Sequence, residues 1–176
     1  MNPFRRLSGI PAPVVRRARL GPGEKVLASA TTQDGTWLLG TRVALYLIPP
    51  EPAEPRRIPW EHVERADWQR DDQRLVVAEV GRYGEVRPRH TFVLDQPGAL
   101  LSFVRERVTA SVVMQRRVVV EGNKGLFVIA RRPPAGAGEI SWAYEFDRGV
   151  DPADPKVSEL AEQGLRAAAE ELGLSI

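Results

Sequence analysis

The sequence predicts an α+β chain that is mostly β: short strands closed by one amphipathic helix, then a β-β-β-α extension. Three observations carry that reading. Residues 24–94 form successive short apolar runs, several of them alternating, separated by turn-forming residues. The hydrophobic period changes to a helical one only at Gly98-Ala99-Leu100. Beyond residue 113 the strands-then-helix order returns, in three further runs and a terminal amphipathic segment.

The elements follow in order. Residues 1–22 are rich in Arg and Pro, and Pro3, Pro11, Pro13 and Pro22 oppose a continuous helix. They read as a mobile or surface-draped arm whose Phe4, Leu7, Ile10, Val14 and Val15 could dock on the domain or on a partner. Residues 25–31 alternate, with Val26, Ala28 and Ala30 on one face. Asp34-Gly35 then signals a tight hairpin with positive φ at both central residues. Strands follow at 36–40 and 42–48, and Gly40 between them marks a bulge or a close backbone approach. After the proline-rich loop 49–55 come runs at 57–60, 63–68, 74–80 and 90–94. Asp95 is the expected N-cap of the helix, because Pro97 suits a first turn and a carboxylate satisfies free amide groups there. Leu100, Leu101, Val104, Val108 and Val112 form its buried stripe.

In the extension, residues 115–120 and 126–130 flank a Gly122-Asn123-Lys124-Gly125 turn. Residues 139–146 put Ile140, Trp142, Tyr144 and Phe146 on one face, opposite Ser141, Ala143 and Glu145. Asp151 or Asp154 caps a last helix that stops at Gly173. The expected organisation is a basic, proline-rich arm at 1–22, a strand-rich domain at 23–113, and an extension at 114–176. The extension is too small for more than marginal stability alone, so it should pack on the first domain or on another subunit.

Composition narrows the classes. The 176 residues are 43% hydrophobic and 27% charged, as in soluble globular proteins. The absence of cysteine removes disulfide frameworks, thiolate metal sites and cysteine nucleophiles. A net charge of +2 is too small for general attraction to nucleic acid. Arg5, Arg6, Arg16, Arg17 and Arg19 nevertheless all precede the first acidic residue, Glu24. No apolar run approaches the roughly 20 residues of a spanning helix. The N-terminus lacks the apolar core and cleavage site of a secretory signal. The expected location is cytoplasmic, or peripheral to a membrane if the basic arm meets an anionic surface.

A family resemblance rests on residues 24–109. GEKVLAS opens the first strand, TWLLGTRVALYLI forms the hairpin, and RRIPWEHVERADW and RLVVAEV follow, with the single closing helix from Pro97. Together these resemble the bacterial PH-like (pleckstrin-homology-like) domains. The resemblance implies a bent antiparallel sandwich or partly open barrel capped by that helix. It also implies a binding module, for proteins or peptides and in some members for lipid headgroups. Members that bind phosphoinositides carry several basic residues in the first hairpin loop. Here residues 31–35 carry none, and include Asp34.

Candidate chemistry is sparse. His62 and His90 lie in separate segments without metal-ligand spacing. Asp71-Asp72 reads as a turn, and Asp151 with Asp154 as helix capping. The doublets Arg56-Arg57, Arg116-Arg117 and Arg131-Arg132 each offer one donor per strand face. The sequence therefore predicts a non-catalytic binding module without cofactor or metal. Its partner would be another protein or a second copy of itself, with an anionic membrane surface as the alternative and nucleic acid disfavoured. The candidate interaction surface comprises Arg5, Arg6, Arg16, Arg17, Arg131, Arg132, Trp142 and Tyr144.

Overall fold

The computed structural model describes residues 9–81, 83, 85–136 and 138–175. The first sheet runs in chain order through β1 (Ala28–Thr31), β2 (Trp37–Gly40), β3 (Ala44–Ile48) and β4 (Arg56–Pro59), all antiparallel. Every residue of β3 is buried. The run ALYLI has no polar alternation because both faces of the strand are covered. Leu45 and Leu47 face the main core, while Ala44, Tyr46 and Ile48 face a second apolar layer.

That outer layer is supplied by the N-terminal segment. A short helix, α1 (Ala12–Ala18), buries Ala18, and Ile10, Val14 and Leu20 pack with it on the sheet. Pro11 and Pro13 stand at the start of this helix, which spans only part of the segment. Pro11 is the N-cap and Pro13 lies in the first turn, where a missing N–H loses no intrahelical bond. Met1 to Ser8, including Arg5 and Arg6, lie outside the described residues.

The Asp34-Gly35 hairpin forms, but not as the two-residue turn expected. Only Gly35 has positive φ, at 82°. The loop closes with Gly35 N–H donating to Thr32 O and Thr32 N–H to Thr36 O, at 3.0 and 2.9 Å. Asp34 instead accepts bonds from the Thr32 hydroxyl and the Thr36 N–H. Those donors hold its carboxyl below the usual range.

A 3-10 turn at Trp60–His62 leads into the second antiparallel sheet, β5 (Val63–Gln69), β6 (Arg74–Glu79) and β7 (Arg89–Val93). Leu38, Leu45, Ile58, Leu75 and Val77 of the two sheets meet Trp60 of the turn in one core, closed by Leu100 and Val104 of α2 (Leu100–Ser111). Trp60 is fully buried, and its indole N–H donates to Thr41 O at 2.9 Å. Phe103 of α2 meets the Trp60 ring edge-on, with centroids 6.0 Å apart. Gly40 is the close approach foreseen between the strands, but its neighbour is a ring. A Cβ there would stand 2.8 Å from Phe103.

The expected cap at Asp95 is not made. Helix α2 begins after Gly98, which has φ +53°, and its N-cap is Ala99 without a side-chain bond. Asp95 accepts from Gln33 Nε2 at 2.6 Å, tying the first hairpin loop to the end of β7.

Val112, expected in the buried stripe of this helix, is exposed and already extended. There α2 passes without a linker into β8 (Val112–Glu121), followed by β9 (Lys124–Arg131) and β10 (Ser141–Phe146), in sheet order β10-β9-β8. The last helix, α3 (Pro155–Glu171), is capped by the Asp154 carboxylate, which accepts from Lys156 N–H at 2.8 Å. Val157, Ala161 and Ala168 pack on Leu126 and Val128. Gly164 lets α3 approach β8, because a Cβ there would lie 2.5 Å from Val118 Cγ2. No helix among the described residues is long and apolar enough to cross a membrane.

Candidate functional site

Two of the concave surface features have walls of distinct chemistry. The first is a groove between β5 and α2. Strand β5 is an edge: it pairs with β6 on one side and with no strand on the other among the described residues. Beside it lies a cavity of about 1010 Å³, lined by Ala66, Trp68 and Leu75 of the sheet and Leu101 and Val104 of the helix. Ala66, Trp68 and Leu101 are only partly buried, although they pack on the main core. Asp67, Arg105 and Glu106 supply a mixed-charge rim. An exposed edge offers backbone donors and acceptors, and apolar sockets alongside it accept alternate side chains of an added strand.

The second feature is a cleft of about 440 Å³ between the end of α1 and the loop from β3 to β4, bordered by Arg17, Arg19, Arg56 and Arg57. Arg17 clamps the loop by donating to Pro49 O at 2.5 Å and Ala53 O at 2.6 Å. Arg57 donates its Nε to the Tyr46 hydroxyl at 3.2 Å and lies over that ring at 5.9 Å from its centroid. The Tyr46 hydroxyl donates in turn to Glu24 at 2.7 Å. Burial opposes ionisation of Glu24. The Thr41 and Tyr46 hydroxyls, the Gly21 N–H and the nearby Arg57 charge outweigh it and hold the carboxyl below its ordinary value.

The residues singled out from sequence fall in several places. Arg5 and Arg6 lie outside the described residues. Arg16 is exposed on α1, and Arg17 is partly buried as the loop clamp. Arg131 is not a surface donor. It is 3% exposed, donating to Ser111 Oγ and Glu64 O, both at 2.9 Å. Burial lowers its tendency to hold a proton, and the charge of Glu145 opposes that effect. Arg132, one residue on, is exposed. Trp142 and Tyr144 are half-buried and pack with Phe146 in the cluster that α3 covers. The alternating aromatic face is therefore half-buried: side chains of α3 share its cluster, and the Tyr83 ring meets Tyr144 and Phe146 edge-on.

The other doublets divide between strand faces, as their spacing implied. Arg117 pairs with Asp147 at 2.5 Å, and Arg116 with Glu171 at 3.1 Å. His90 meets Glu79 at 2.5 Å in β6, whereas His62 is exposed at the end of the 3-10 turn. Asp151 accepts from Ala153 N–H, which with the Asp154 cap accounts for that carboxylate pair. No group of three or more His, Asp or Glu side chains suited to a metal ion occurs among the described residues.

Sequence reasoning missed both concave features. Trp68 reads as core in any apolar alternation, and only its position on an edge strand leaves it open to a groove. Arg19 and Arg57 lie 38 positions apart in the chain, so no local pattern signals their convergence. Comparison with protein-family models, curated proteins and solved structures returned no match.

Proposed function

We propose that this chain is a PH-like, non-catalytic binding module that takes an extended segment of a protein partner in the groove between β5 and α2. The observation that carries the reading is an unpaired edge strand running beside an apolar trough. Backbone groups along β5 supply affinity in such a mode, and the sockets at Ala66, Trp68 and Leu101 supply selectivity. The four-plus-three strand arrangement, plugged by one helix, supports the PH-like part of the reading. It agrees with the fold that the sequence resemblance implies. Binding here is surface complementarity, and the reading assigns the protein no bond-making step.

The test is selection of peptides from a random displayed library against the native protein. Selected peptides should bind the native chain and lose affinity at least about tenfold to Leu101→Asp, which sets a carboxylate in the trough. Circular dichroism of that variant should match the native protein. Peptides that bind Leu101→Asp equally well, or a library that yields none, would remove the groove as the site.

A further inference from the structure

The arginine-bordered cleft on the opposite, outer face of the first sheet is not used by the groove reading. It adjoins a second cavity of about 740 Å³, and the two share Arg57. Together they are lined by six cationic side chains, Arg17, Arg19, Lys25, Arg42, Arg56 and Arg57, against three carboxylates. Those carboxylates do not quench the site equally. Both oxygens of Glu24 are occupied, by the Thr41 and Tyr46 hydroxyls and the Gly21 N–H. Glu51 is 81% exposed and approaches Arg17 only at 3.9 Å. Glu54 is exposed on the same loop. Outside the lining, Glu79 takes one nitrogen of Arg56 at 2.6 Å.

Some of the donors are free and others are held in place. Among the described residues, Arg19 and Arg42 make no side-chain hydrogen bond, and Arg57 commits only its Nε to Tyr46. The Arg57 terminal fork is thereby oriented by a fully engaged tyrosine and remains open to a ligand. Arg17 is fixed by two loop carbonyls, which keep its charge at the cleft without neutralising it. Arg19 is brought to the cleft by a backbone conformation that L-residues adopt at a cost, with φ 47° at the end of α1. Open forks on Arg19 at a helix end and Arg57 on a strand, beside the fixed charge of Arg17, suit a group with several acceptor oxygens around one centre. A single carboxylate has too few acceptors to meet them together.

The geometry points to a binding site for a ligand bearing more than one phosphate, seated between α1 and the β3–β4 loop and held by Arg19 and Arg57. This site lies apart from the first hairpin loop, which carries no basic residue between Thr31 and Gly35. Its chemistry fits either a soluble polyphosphate compound or a phosphorylated lipid headgroup.

The decisive variant is Arg19→Gly. Glycine suits the left-handed conformation at a helix end, so the change removes a cation from the cleft while leaving the fold as stable or more so. Calorimetric titration of the native protein with inorganic tripolyphosphate at low ionic strength should show binding that weakens with added salt. Affinity should fall about threefold in Arg19→Gly and about tenfold in Arg57→Gln, with Arg132→Gln unchanged. Flotation with phosphatidylcholine vesicles, plain or doped with a phosphatidylinositol phosphate, separates the sources. Capture by the doped vesicles alone, competed by tripolyphosphate and weakened by Arg19→Gly, assigns the site to a headgroup. Tripolyphosphate binding without vesicle capture assigns it to a soluble ligand. Absence of tripolyphosphate binding, or binding equal in Arg19→Gly, Arg57→Gln and native protein, overturns the proposal.

Discussion

The Arg131 guanidinium donates to the carbonyl oxygen of Glu64 at 2.9 Å, across 67 residues of sequence. One strand of the third sheet is thereby fastened to the start of β5. The same cation donates to the hydroxyl of Ser111, the last residue of α2. Arg87 adds a second tie, pairing with the Glu64 carboxylate and donating to the Tyr144 carbonyl. The extension is therefore docked by the buried Arg131 and the partly buried Arg87, together with the Tyr83 ring, which meets Tyr144 and Phe146 edge-on at 5.2 and 5.3 Å.

Replacing Arg131 with leucine should lower the free energy of unfolding by about 2 kcal/mol, because the carbonyl and hydroxyl it serves lose a charged donor in a dry environment. Arg132→Leu, at an exposed neighbour, should stay within about 0.5 kcal/mol of the native value. Urea denaturation of both variants reads the difference. Equal midpoints would show that Arg131 does not hold the extension in place.

The Glu24 cluster predicts a pH dependence with a definite sign. Its carboxyl is held below the ordinary value of 4.5 in the folded state. The stability it contributes is therefore complete above that value and is lost as pH falls through the folded value. Glu24→Gln should be less stable at neutral pH and lose less on acidification than the native protein. Tyr46→Phe removes one buried hydroxyl donor to the same carboxylate and should cost about 1 kcal/mol. Thermal melts from neutral to acid pH check both. Parallel native and Glu24→Gln curves would exclude the linkage.

Gly40 makes a steric prediction. A methyl group there would press on the Phe103 ring at 2.8 Å, so Gly40→Ala should destabilise by about 1–3 kcal/mol through overpacking. The ring sits on a helix side chain that can be shortened. Gly40→Ala combined with Phe103→Leu should lose less than the sum of the single changes. Additive losses in denaturant melts would mean that the two residues do not meet.

Much of the fold was legible in local pattern. The alternation of Val26, Ala28 and Ala30, the hairpin signal at Asp34-Gly35 and the stripe of Leu100, Leu101, Val104 and Val108 each announced an element that forms. The misreadings share a cause. Pro11 and Pro13 look like helix breakers in sequence, yet their effect depends on position within the first turn. Asp95 looks like a cap, but Gly98 delays the helix and frees that carboxylate for Gln33. Trp142 and Tyr144 look like an open aromatic face, yet the cluster they share with α3 and the Tyr83 ring half-bury it.

The sequence by itself determined most of the strands, the two longer helices and the apolar side of the alternating segments, because those properties follow from residue spacing along a regular backbone. Only the tertiary structure decided what each face meets. It buried Arg131, left Trp68 on the wall of a groove, and brought Arg19 and Arg57 around one cleft. Such outcomes depend on how distant elements pack, and the energy of a contact between remote residues leaves no periodic trace in the chain that makes it.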